Sequence, residues 1–137
     1  MRVRDIMSSP VVTVSADTPL REVAALLVER GISGMPVVDA ERRVLGVVSE
    51  GDILVRERGA GRARFDLLAW LSESEEAELE AKLRARTAGE TMTRPPVTIA
   101  ADAPLAKAAA YIVDRGVNRL PVVDAERRLV GIVTRAD

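Results

Sequence analysis

The 137-residue sequence contains no cysteine and no histidine. That removes thiolate nucleophiles, Ser-His-Asp and Cys-His relays, redox pairs and the zinc sites built from imidazole or thiolate. Aromatic residues make up only 2% of the chain, and Phe65, Trp70 and Tyr111 are too scattered to form a stacking platform for nucleic-acid bases. No sign of charge dominates: 20 basic against 21 acidic residues give a net charge of -1, so no global field attracts nucleic acid or an anionic membrane. Apolar runs fall far short of the roughly 18 residues a membrane span needs. The first residues, Met1 to Asp5, lack the apolar stretch and cleavage site of a signal peptide, so the expected compartment is the cytoplasm.

What the sequence does have is enough apolar residues, 47%, for a soluble globular core, and a clear internal repeat. Residues 5–52 align without gaps on residues 90–137 at a constant offset of 85, with 24 of 48 positions identical. The shared frame includes Met7/Met92, Pro10/Pro95, Asp17/Asp102 and Pro19-Leu20/Pro104-Leu105. It continues through Gly31/Gly116 and Pro36 to Arg43 over Pro121 to Arg128, and ends on Gly46/Gly131 and Asp52/Asp137.

Each copy reads as strand, helix, strand, strand, helix, which makes the expected class α/β. Val11–Val14 and Val97–Ile99 are short β-branched runs after a proline. Asp17-Thr18-Pro19 offers a helix N-cap, and Leu20, Val23, Ala24 and Leu27 then recur at i, i+3, i+4 and i+7 until Gly31. Leu105, Ala108, Ala109 and Ile112 repeat that stripe up to Gly116. Met35–Val38 and Val44–Ser49 are strands around a polar turn in which Arg42 and Arg43 are expected to be solvated; Leu120–Val123 and Leu129–Thr134 are their doubles. A further helix begins at Asp52, whereas the second copy stops at Asp137, which suggests a longer parent chain. The expected division is a first repeat over 1–58, a helical insert over 59–87 and a second repeat over 88–137. In the insert, Ser72 and Glu75 have capping-box spacing, and the helix they start is either docked through Ala77, Leu79 and Leu83 or a solvated linker.

Gly46-Val-Val-Ser-Glu-Gly-Asp52 and Gly131-Ile-Val-Thr-Arg-Ala-Asp137 carry the most chemistry. A Ser or Thr at a strand-to-helix junction sits where free N–H groups attract phosphate, and a carboxylate three residues on accepts hydrogen bonds from a ribose diol. The same spacing is that of a capping box, the favoured reading from one copy alone. With Asp5-Ile-Met7, Pro10 and Met35-Pro-Val-Val-Asp39, and their doubles Met92, Pro95 and Leu120-Pro-Val-Val-Asp124, this pattern resembles the paired CBS domains, named after cystathionine β-synthase. The resemblance covers residues 1–52 and 88–137.

The resemblance implies two repeats packed through their sheets about a pseudo-two-fold axis, with two clefts for an adenosine compound, an adenine nucleotide or S-adenosylmethionine, and no required cofactor. It places Thr13, Met35, Pro36, Ser49 and Asp52 in one cleft, and Thr98, Leu120, Pro121, Thr134 and Asp137 in the other. It also implies a homodimer formed through helices. At aligned positions the first copy has Ser33-Gly34 and Glu50, and the second has Asn118-Arg119 and Arg135. These two arginines either meet ligand phosphates at the second cleft or are solvated surface charges. The expected role is a regulatory, non-catalytic ligand sensor, since Asp39/Glu41 and Asp124/Glu126 lie in polar turns and no spacing suits a hard metal. The alternative is a ligand-free dimerisation scaffold.

Overall fold

A computed structural model describes residues 1–56 and 86–135. The expected insert helix, Ala136 and the site candidate Asp137 lie outside the described residues. The elements in chain order are a 3-10 turn at Val3–Asp5, α1 (Leu20–Arg30), β1 (Gly34–Val38), β2 (Val44–Ser49), α2 (Glu50–Arg56), α3 (Ala88–Thr91), β3 (Ile99–Ala100), α4 (Leu105–Arg115), β4 (Arg119–Val123) and β5 (Leu129–Thr134).

The two halves repeat each other's pairing. β1 and β2 are antiparallel, Gly34 opposite Ser49 and Pro36 opposite Val47; β4 and β5 repeat this with Arg119 opposite Thr134 and Pro121 opposite Ile132. β3 runs parallel to β4, and Val14 makes the equivalent single parallel bridge to Val37. The first strand of each copy is therefore shorter than the β-branched runs suggest. Pro10, Pro95 and Pro96 have no N–H to donate to a ladder, and Val11, Val12 and Val97 leave the sheet edge to line clefts.

Helices α1 and α4 start differently from the sequence expectation. Pro19 and Pro104 occupy the N-cap positions, and neither helix has a side-chain cap. Thr18 instead accepts a hydrogen bond from the Ser15 N–H at 3.1 Å. The first free donor of α1, the Leu20 N–H, reaches the Arg86 carbonyl at 2.9 Å, and Leu105 reaches Met1 at 3.0 Å. Position 18 has Ala103 as its double, so a hydroxyl at that position could not have capped both helices.

All four residues of the expected α1 stripe, Leu20, Val23, Ala24 and Leu27, are buried. In α4 only Ala108 is fully buried, and Ala109 is exposed. The difference follows from what covers each helix: α2 packs on α1 and buries Ile53, and the described residues give α4 no such neighbour. Ala106, Ala109, Ala110 and Val113 then form a second apolar stripe on α4 that faces outward.

Contacts between the halves obey an exchange rule. Arg2 pairs with Pro104 and Pro19 with Thr87; Ser8 pairs with Ile132 and Val47 with Thr93. Adding or removing the offset turns each bridge into its mate with the repeats interchanged, as a two-fold axis requires. Arg43 pairs with its own counterpart Arg128, so the pseudo-axis passes between them. The segment that begins each copy thus packs on the other copy. Val3 is buried in the core with Ile99, Leu120, Val122 and Val133, while Ala88 and Met92 are buried in the core with Leu20, Met35, Val37 and Val48.

Candidate functional site: two clefts on the pseudo-axis

The exchange creates two clefts, each lined by both repeats. A larger one, about 530 Å³, lies between the Ser8–Val12 and Ile32–Gly34 segments of the first repeat and Ile132, Thr134 and Arg135 of the second. A smaller one, about 240 Å³, lies between Thr93–Val97 and Gly116–Arg119 of the second repeat and Val47, Ser49 and Asp52 of the first. Most lining residues correspond at the repeat offset, among them Ser8 with Thr93, Pro10 with Pro95, Val12 with Val97, Ile132 with Val47 and Thr134 with Ser49, whereas Pro36 and Arg135 of the larger cleft have no counterpart on the smaller. The larger volume falls within the roughly 300–1,000 Å³ of small-molecule sites, and the smaller falls below it.

Of the residues singled out in the sequence, Ser49 and Asp52 come together at the smaller cleft, and Pro36, Thr134 and Arg135 at the larger. Each cleft takes its strand-to-helix junction from one repeat and its proline segment from the other. Thr13 and Thr98 are half-buried and are not among the residues lining either cleft; Met35, Leu120 and Pro121 are buried. Position explains Met35 and Leu120: on β1 and β4 they face inward and fill the two cores.

The junction at Ser49 resolves the two readings of its spacing. The Ser49 N–H and Oγ both donate to Asp52 Oδ2, at 3.0 and 3.1 Å, and the Asp52 N–H donates to Ser49 Oγ at 3.2 Å. This is a capping box for α2. Oδ1 of Asp52 also accepts from Thr93 Oγ1 at 2.9 Å, across the repeat boundary. A carboxylate has about four acceptor directions and these bonds use three, and the half-buried Asp52 lines the smaller cleft. The sequence reading missed Thr93. Its one signal was the alignment of two hydroxyl residues, Ser8 and Thr93, just after the paired methionines.

Arg119 departs most from the repeat symmetry. Its side chain crosses toward the first repeat, where Nη2 donates to Ser33 Oγ and the guanidinium rests against Gly34. A Cβ at Gly34 would lie 2.6 Å from Nη1, so the glycine makes this seat. Burial lowers the Arg119 pKa from its ordinary value, while Asp52 and Glu50 act in the opposite direction. Arg135 is exposed at the larger cleft, its N–H donating to the Asn118 carbonyl at 3.0 Å and Nη1 to Asn118 Oδ1 at 3.3 Å.

The larger cleft therefore joins aliphatic walls, from Pro10 to Val12, Ile32, Pro36 and Ile132, to a polar end with two guanidinium groups and the Thr134 hydroxyl. Such a site suits a flat apolar body carrying an anionic group. Among the described residues no cluster of acidic side chains suits a metal ion, and no helix is long and apolar enough to cross a membrane.

Comparison with known proteins agrees with this geometry. The family model described as CBS domain matches residues 3–59 and 88–137. The chain is 32% identical over 131 residues to the chloroplastic CBS domain-containing protein CBSX2 of Arabidopsis thaliana, a match covering 90% of this chain and 55% of that protein. It thus spans about half the length of that relative. The crystal structure of CBSX2 in complex with AMP matches with a TM-score of 0.77 and 31% identity, covering 98% of this chain and 91% of that one. Protein MJ1426 of Methanocaldococcus jannaschii is 33% identical over 154 residues, covering all of this chain and 88% of the relative. The CBS domain pair of protein MJ0100, solved with 5'-methylthioadenosine and S-adenosyl-L-methionine, matches with a TM-score of 0.72 and 26% identity, covering 99% and 90% of the two chains. With its duplicated frame, its exchanged halves and a family match over both copies, this chain belongs to the CBS-domain family, as a CBS pair.

Proposed function

We propose that the chain is a regulatory module that binds an adenosine-containing ligand at its pseudo-axis and itself carries no catalysis. The observation that supports this most directly is the larger cleft, where aliphatic walls meet two arginines and a hydroxyl in a volume fit for a small molecule. The base lies between Val12, Ile32 and Ile132, and a phosphate is directed to Arg119 and Arg135. In the smaller cleft Asp52 is the ribose acceptor. The two relatives solved with AMP and with S-adenosyl-L-methionine and 5'-methylthioadenosine support the ligand class.

Thermal unfolding with AMP, ADP, ATP, S-adenosylmethionine and NAD tests the reading. A ligand at one hundred times its Kd adds about 2.7 kcal/mol of stability and raises the midpoint. An unchanged midpoint across all five compounds would sink the reading.

The outward stripe on α4 supports a second, compatible role as a homodimer. Val113 at 77% exposure is the one apolar residue besides Met1 among the large, strongly exposed ones described, and it continues Ala106, Ala109 and Ala110 along one face. Sedimentation is expected to show a dimer at micromolar concentration and a monomer for Val113→Glu. A wild-type monomer would remove this role.

A further inference from the structure

Arg119 lines both clefts, a position it shares only with its neighbour Asn118 among the described lining residues. Its counterpart in the first repeat is Gly34, the residue its guanidinium rests on, so no cation returns in the opposite direction. The hydrogen bond to Ser33 holds it on the larger cleft's wall, and Asp52, which lines the smaller cleft, attracts it as well. Among the described residues the cations on each lining separate the clefts: the larger has Arg119 and Arg135, whereas the smaller has Arg119 alone, together with the Asp52 carboxylate.

We propose that Arg119 is a shared cation that serves one cleft at a time, so a phosphate-bearing ligand in the larger cleft weakens binding of the same ligand in the smaller. This rests on the binding role proposed above. One guanidinium engaged with a phosphate in the larger cleft leaves the smaller with Asp52 as its charged side chain, and a second phosphate there meets repulsion in place of attraction. By linkage the effect is reciprocal. An uncharged adenosine compound makes no demand on the guanidinium and fills either cleft independently.

The test follows the two clefts separately by methyl NMR, with Val12 and Ile32 reporting on the larger and Val97 and Val117 on the smaller. Ser8→Trp, at an exposed position on the larger cleft's lining, blocks that cleft. Arg135→Glu, also exposed, repeats the comparison by repelling phosphate from the larger cleft. With AMP, the smaller cleft is expected to bind at least about fivefold more tightly in both variants than in the wild type with its larger cleft filled. In an Arg119→Gln background that difference disappears, and with adenosine it is absent throughout. Equal affinity of the smaller cleft in wild type and in both variants overturns the shared-cation proposal while leaving ligand binding intact. So does a difference that persists in Arg119→Gln, because repulsion between the two phosphates would then be its source. If neither methyl set moves with AMP or adenosine, the binding role itself fails and the coupling with it.

Discussion

Asp39 and Asp124 each organise a turn through a single oxygen. Oδ1 of Asp39 accepts the Glu41 and Arg43 N–H groups at 2.9 and 2.8 Å, and Oδ1 of Asp124 accepts those of Glu126 and Arg128, each at 2.9 Å. The carboxylate thus supports a backbone in which Arg42 and Arg127 adopt positive φ, near 65° and 67°. Asp39→Ala is expected to lower stability by about 1 kcal/mol, measured by urea unfolding, with Asp39→Asn recovering most of it because its amide oxygen accepts the same two N–H groups. The same scale governs ligand choice. Arg135→Ala is expected to weaken AMP binding about tenfold or more in the larger cleft, through loss of a charge-assisted contact of about 1.5–3 kcal/mol, and to leave adenosine unchanged by calorimetry. An equal loss for adenosine would show that Arg135 supports the cleft and does not read phosphate.

At the scale of the element, much was legible in the sequence. The apolar stripe of α1, the strands Val44–Ser49 and Leu129–Thr134, and the glycine stops follow from local periodicity and turn chemistry, which act over a few residues. Gly31 and Gly116 end their helices at φ near 63° and 64°, and nothing lies within 4 Å of a Cβ placed at either. Gly31→Ala is therefore expected to cost about 1 kcal/mol from backbone strain alone. Gly46→Ala should cost more, about 1–3 kcal/mol, because its Cβ would lie 2.8 Å from the Thr93 carbonyl and must displace a paired backbone; paired thermal melts would check the order. The features that could not be read locally are those set by the other repeat. Pro19 begins α1 because Arg86 supplies a carbonyl from far along the chain, and Met35 and Leu120 lie in the cores because the clefts open on another face. The membership of each cleft was hidden for the same reason, since a gapless alignment shows that two segments are alike without showing that they trade places.

Over the whole molecule, that trade makes the two cores depend on each other. Val3 completes the second core, and Ala88 and Met92 complete the first, so neither can lose its packing without exposing residues of the other. Calorimetry is expected to show one cooperative transition with matching calorimetric and van't Hoff enthalpies, and two resolved transitions would contradict this dependence. The exchange also suggests a history. A one-repeat ancestor could satisfy the same contacts by pairing with an identical copy, since bridges such as Arg2 to Pro104 and Pro19 to Thr87 have the reciprocal form of an isologous dimer. Two copies of one gene must change together, whereas a fused pair can change one side at a time. Fusion would then be the step that allowed positions 34 and 119 to differ, glycine in one repeat and arginine in the other, giving a formerly symmetric axis a direction.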